Sequence, residues 1–145
     1  MTLVIRTFAM ADEAAVVALW RAAGLARPWN DPHQDIARKR AVQPELFLVG
    51  ELGGEIIASA MAGYDGHRGT VYYLAVSPGH QRGGHARAIM AEVEARLEAM
   101  GCPKLNLMVR RDNRVAVGFY ERLGYDEQAV MTLGKRLIED ARREP

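Results

Sequence analysis

The chain has 145 residues, enough for one globular domain with a sheet and a few helices around a single core. Hydrophobic residues make up 49% and charged residues 26%, which excludes disorder as the bulk state. Nineteen Lys and Arg face eighteen Asp and Glu, a formal net charge of +1, so no global field exists to hold a nucleic acid or an anionic membrane, and any anion site must be local.

The single cysteine, Cys102, excludes an intramolecular disulfide and any multi-Cys zinc site; in Gly101-Cys102-Pro103 it reads as a small turn residue. The N-terminal stretch places acids where a signal peptide needs its apolar segment, and no run approaches the roughly 18 apolar residues of a membrane span. A soluble, cytoplasmic protein without a membrane or nucleic-acid partner is expected. His33, His67, His80 and His85 show no metal-ligand spacing, so no metal is expected either.

Thr2 to Phe8 alternates like a strand, and Ala11 to Ala23 repeats apolar residues at helical spacing until Gly24. Pro28 and Pro32 bracket an irregular stretch, and a short helix follows from Pro32 to about Val42. Leu46 to Leu52 and Glu55 to Tyr64 read as a hairpin around Gly53-Gly54. Thr70 to Val76 is almost apolar throughout and reads as a central strand. A long helix spans Gly83 to Met100, a strand Leu105 to Val109, a last helix Asp112 to Leu123, and final strand material Tyr125 to about Leu137. The charged tail from Glu139 to Pro145 is expected to fray. No repeat or linker interrupts this single domain, 1–145. The class is α/β, with a meander at the centre of its sheet.

The informative segment runs from Val76 to Ala86. A buried strand stops at Pro78, and a glycine-containing loop opens directly into the long helix. The first N–H groups of a helix lack intrahelical partners, and with the positive end of the dipole they form an anion site. Gly83, Gly84 and Ala86 leave room for a diphosphate, and Arg82, His85 and Arg87 add local positive charge. No Gly-Lys-Ser/Thr follows, so this is not a P-loop, and the spacing is wrong for a dinucleotide fingerprint. Taken alone, the glycines also fit a plain turn.

Gln81-Arg82-Gly83-Gly84-His85-Ala86 resembles the Q/R-x-x-G-x-G/A signature of the GNAT N-acetyltransferase superfamily. Asn113 to Tyr125, with Ala116, Phe119, Tyr120 and Gly124, resembles that family's N-x-x-A-x-x-F-Y-x-x-x-G-F/Y block. The resemblance extends over essentially the whole chain. It implies a mixed, mostly antiparallel sheet, splayed between its fourth and fifth strands and flanked by about four helices. It also implies acetyl-CoA as acyl donor and direct transfer to an amine. The diphosphate is then held by the amides of Gln81 through Arg87, and pantetheine pairs with backbone near Leu74, Ala75 and Val76. Asn113 touches the cofactor, and Ala116, Phe119 and Tyr120 line its passage. The N–H of Val76 or a close neighbour polarises the thioester carbonyl.

Tyr120 also has a physical case. A departing thiolate needs a proton, and a phenol near pKa 10 stays protonated at neutral pH and donates. On spacing alone a core tyrosine with a satisfied hydroxyl is the better fit; the family pattern favours the acid. A base is harder to find. Tyr72-Tyr73-Leu74-Ala75-Val76 contains no acid, and Met108 stands where the ribosomal-protein branch of the family carries Glu. Deprotonating a lysine at pH 7 costs about 4–5 kcal/mol and an α-amine about 1 kcal/mol, so a low-pKa amine needs little help. A water chain ending at Tyr72, Tyr73 or a loop acid suffices.

Two loops carry candidate acceptor residues: Trp29, Asn30 and Asp31 in the first, Tyr64, Asp65 and His67 in the second. Trp29 offers a stacking surface, Asp31 and Asp65 attract an ammonium, and His67 titrates near neutrality. Asp65-Gly66 is also an ordinary turn pair, and Trp29 an ordinary core cap. The acceptor is a small-molecule or peptide amine of unknown identity, and the resemblance allows a homodimer. The competing reading is a catalytically weak acyl-CoA-binding sensor of the same fold, which the missing strand acid favours. A nucleic-acid module is disfavoured by the charge balance.

Overall fold

Alternating apolar residues build the sheet. In the computed structural model, which describes residues 1–140, β1 (Val4–Thr7), β2 (Phe47–Leu52), β3 (Glu55–Tyr64), β4 (Gly69–Val76) and β5 (Leu105–Asn106) form one sheet in sequence order. The first four pair antiparallel, and β5 joins β4 in parallel. Gly53 and Gly54, at φ 57° and 82°, make the tight turn between β2 and β3 that only such backbone angles close.

The helices are α1 (Glu13–Ala22), α2 (Pro32–Ala41), α3 (His85–Ala99) and α4 (Arg114–Arg122). Val16, Val17, Leu19 and Trp20 of α1 and Ile36 of α2 are buried with Phe8, Phe47, Val49, Met61 and Ala75 in one core. The rings of Phe8 and Phe47 stack there at 4.4 Å. α3 packs on β2, β3 and β4 through Ile89, Met90, Val93 and Leu97. None of these four joins the α1 core, so α3 covers the other face of the sheet. The period of two in β3, where Ala58, Ala60 and Ala62 alternate with Ser59 and Met61, serves both layers. Arg6 of β1 pins the chain entering α1, donating to both Asp12 oxygens at 2.7 and 2.9 Å.

The described chain divides into two compact units, Met1–Asn106 with Asp140, and Leu107–Glu139. Two expectations fail in the second. The strand expected over Leu105 to Val109 is confined to Leu105–Asn106, and no strand forms from Tyr125 to Leu137. Val130, Met131 and Leu133 stand exposed instead; propensity makes no strand without cross-strand pairs. Gln128 and Arg136 make short local bonds to Asp126 O and Ile138 O. The tail expected to fray from Glu139 behaves otherwise at Asp140, whose carboxylate accepts from the Asp31 N–H at 2.8 Å and from Arg38 Nη2 at 2.5 Å. Residues 141–145 lie outside the described residues. Among the described residues no helix is long and apolar enough to cross a membrane.

Candidate active site

β4 meets β5 only at Gly69 and Thr70, paired with Leu105 and Asn106. From Val71 to Val76 its outer edge has no strand partner among the described residues. This is the splay between fourth and fifth strands. Toward β3 the register runs from Tyr64↔Gly69 to Met61↔Tyr72, then resumes as Ser59↔Ala75 and Ala58↔Val76. Tyr73 and Leu74 thus stand together opposite Ala60, a one-residue bulge, and Tyr73 takes a left-handed φ of 53°.

The bulge decides which N–H groups face the open edge. Ser77 N–H donates to Ile57 O at 2.7 Å, so by antiparallel alternation Ala75 and Ser59 share bonds while Val76 and Ala58 do not. Val76 therefore turns its N–H away from β3. At the other end, Asp65 N–H donates to Arg68 O at 3.2 Å, which sets the opposite phase. Without the extra residue, the Val76 N–H would be spent on β3.

After Ser77 a 3₁₀ turn, Pro78–His80, leads into the loop before α3. Arg82 and Gly84 both take left-handed angles, φ 66° and 79°. A bulky residue is strained there, so Arg82 marks a loop shape held against its own preference. The first bond into the helix is Ala88 N–H to Gly84 O at 3.0 Å, so the N–H groups of His85, Ala86 and Arg87 precede the ladder. A Cβ at Gly79 or Gly84 would meet nothing within 4 Å, whereas one at Gly83 would lie 2.8 Å from His85 Nε2. The buried His80 Nδ1 finds no partner among the described residues. Unspent N–H donors, a helix dipole and an open glycine face fit a diphosphate group.

In the second unit, Asn113 caps α4, its Oδ1 accepting from the Ala116 N–H at 3.2 Å. The helix ends on Gly124, φ 95°, with Tyr125 N–H bonded to Tyr120 O and Gly124 N–H to Glu121 O, both at 3.0 Å. That pair of bonds needs a left-handed residue at position 124, which explains the glycine of the motif. The Tyr120 ring meets Phe119 and Tyr125 edge to face at 5.1 and 5.8 Å. Burial pushes the Tyr120 phenol up to about 12. It is therefore a proton donor at any physiological pH. Ala116 and Phe119 share its half-buried side of α4.

The acceptor candidates separate. Trp29 is 54% exposed in the α1–α2 loop, beside half-buried Asn30. Asp31 is buried and caps α2, accepting from the His33 N–H at 2.9 Å. Tyr64 is held by Gln43, which bonds its N–H and its carbonyl at 2.8 Å each. Asp65 closes the β3–β4 turn, accepting from the N–H groups of Arg68 and His67, which hold its carboxyl below the usual range. His67 lies exposed in that turn. At about 3.3 Å per residue, the length of β4 puts the turn roughly 20 Å from Val76, so the structure does not bring Tyr64, Asp65 or His67 to the splayed end. Tyr72 is half exposed.

Tyr73 behaves differently. Its ring stacks on Trp20 at 3.7 Å, and its hydroxyl donates to Asp35 Oδ2 at 2.6 Å. Burial first, then the bond to Asp35 and the charges of Asp35, Asp140 and Asp31, hold its phenol well above the usual range. Three carboxylates thus gather beside the bulge, with Arg38 bridging Asp35 and Asp140. Asp35, Asp140, Trp20 and Ser59 were not singled out from the sequence. Only the i, i+4 spacing of Asp31 and Asp35 hints at the pair, and nothing marks the return of Asp140.

The sequence model of the Acetyltransferase (GNAT) family matches residues 14–125. The chain belongs to the GNAT acetyltransferase family. An acetyltransferase of Pectobacterium atrosepticum is 53% identical to this GNAT chain over 136 residues, which cover 94% of this chain and 96% of that one. The crystal structure of the ribosomal-protein-S18-alanine N-acetyltransferase from Escherichia coli superposes with a TM-score of 0.75 at 28% identity, covering 88% of this chain and 80% of that one. An N-acetyltransferase of Thermoplasma acidophilum, solved in complex with coenzyme A, gives a TM-score of 0.72 at 16% identity, covering 90% and 94%; it shows the shared fold. The mixed sheet with its splayed edge is the fold that the GNAT resemblance implied.

Proposed function

We propose that this GNAT protein is an acetyl-CoA-dependent N-acetyltransferase acting on a primary amine. The observation that carries the reading is the bulge of β4, which frees the Val76 N–H toward an unpaired edge that leads directly into the donor-rich loop before α3. When bound, acetyl-CoA supplies the acetyl group and a thiol leaving group. The N–H groups from Gln81 to Arg87 hold the diphosphate, and Leu74, Ala75 and Val76 offer backbone to pantetheine. The Val76 N–H hydrogen-bonds the carbonyl oxygen as it gains negative charge. A C–N bond forms and the C–S bond breaks; the departing sulfur takes a proton, which the family pattern, rather than any geometry, assigns to the Tyr120 phenol, itself reprotonated from water.

The amine must shed a proton. Asp35, held by the Tyr73 hydroxyl, gives that proton a destination through water and gives an incoming ammonium an anionic neighbour. Because β4 itself carries no acid, an amine of modest pKa is the favoured acceptor, since its deprotonation at pH 7 costs about 1 kcal/mol rather than 4–5. The relative from Escherichia coli acts on the alanine of a ribosomal protein; Met108 stands here in place of the Glu typical of that branch, so that substrate is not carried over.

The test is release of CoA thiol from acetyl-CoA with a panel of amines: N-terminal peptides, lysine peptides, polyamines and aminoglycosides. Turnover with at least one supports the reading. Saturable acetyl-CoA binding with no release for any amine identifies a sensor instead.

A further inference from the structure

The bulge of β4 is a costly shape, since an aromatic residue resists the left-handed region that Tyr73 occupies at φ 53°. Such a conformation persists only where its surroundings over-determine it. Ser59 Oγ–H donates to the Tyr73 carbonyl at 2.8 Å, and Trp20 Nε1–H donates to Ser59 Oγ at 2.9 Å. Ser59 and Trp20 are both 0% exposed. A hydroxyl buried on the α1 side of the sheet, beside Trp20, is unfavourable unless bonded. The indole N–H likewise needs a partner in the core. The Ser59 proton finds its acceptor in the Tyr73 carbonyl at the bulge, and the Ser59 oxygen in turn serves the indole. The Trp20 ring also lies flat on the Tyr73 ring, 12° from parallel.

We infer that Trp20 and Ser59 are positioning residues for acyl transfer: their hydrogen-bonded chain locks the β4 bulge, and the bulge aims the Val76 N–H at the open edge. The inference rests on the acetyltransferase reading above. Neither residue touches the donor. Loss of the chain lets β4 relax toward the register of its first half, in which the Val76 N–H bonds β3.

The test is isotope-edited infrared spectroscopy of acetyl-CoA labelled with ¹³C at the carbonyl, bound to the whole protein. In the wild type the carbonyl band lies below that of free acetyl-CoA, because an N–H polarises it. Ser59→Ala returns the band toward the free position and lowers kcat about tenfold with the best amine of the panel, while acetyl-CoA still binds saturably, because the loop before α3 is untouched. Trp20→Phe keeps an aromatic ring against Tyr73 but removes the indole donor, so it moves the band in the same direction by less; it carries the test if Ser59→Ala does not fold. A folded Ser59→Ala or Trp20→Phe variant with the wild-type band and wild-type kcat overturns the inference while leaving the acetyltransferase reading intact. A wild type that does not bind acetyl-CoA overturns that reading instead, and this inference with it.

Discussion

The Tyr73 hydroxyl donates to the Asp35 carboxylate at 2.6 Å and so ties the bulge of β4 to α2. Because burial and the neighbouring carboxylates raise the folded-state pKa above the unfolded value near 10, the bond stabilises the fold fully below pH 10. That stability is lost as the pH rises beyond 10. Tyr73→Phe should lower unfolding free energy by about 2 kcal/mol at pH 7, since it strips a charged acceptor of its donor. Denaturant titrations at pH 7 and pH 11 check this: the gap between wild type and variant narrows at the higher pH.

Tyr120→Phe should reduce turnover by roughly 10²–10⁴ with little change in acetyl-CoA affinity. With its phenol pushed up to about 12, Tyr120 stays protonated through the neutral range. The wild-type rate should then show no fall attributable to this residue below pH 10. A kcat profile from pH 6 to 10 with the best amine, paired with calorimetry of the variant, reads both.

Gly84→Val should weaken acetyl-CoA binding at least tenfold without unfolding the protein. The new Cβ enters open space, so the cost is that of a branched residue at φ 79°, about 1–2 kcal/mol, falling on the loop that presents the donor N–H groups. Circular dichroism reports the fold and calorimetry the affinity.

Asp12→Asn should destabilise the protein by about 2 kcal/mol at pH 7. Arg6 holds the Asp12 carboxyl below the usual carboxylate range against the opposing effect of burial, and the Ala9 N–H assists. A lowered folded-state pKa gives stability that is present above about pH 4 and lost as the pH falls. Thermal melts at pH 7 and pH 2 should show a large difference between wild type and variant at pH 7 and a small one at pH 2.

Local signals carried much of this fold into view. Gly53-Gly54 fixed both neighbours of the first hairpin, and β3 runs from Glu55 to Tyr64 as the returning strand of that hairpin. The loop from Gln81 to Arg87 announced itself because glycines before a long helix have few other uses. What escaped was non-local. Tyr72-Tyr73-Leu74 reads as smooth strand, and only the register of β3 and the bond from Ser59 reveal a bulge there. Asp140 lies more than a hundred residues from Asp31 and Arg38, beyond any periodicity. Val130, Met131 and Leu133 have strand propensity but no ladder, and the sequence offers no way to see that a partner is missing.

The most direct measurement is calorimetric titration of acetyl-CoA into the wild-type protein. The account predicts saturable binding at one site per chain, with a matching rise in unfolding free energy of about 2.7 kcal/mol at a hundredfold excess over Kd. Absence of both heat and saturation would contradict it.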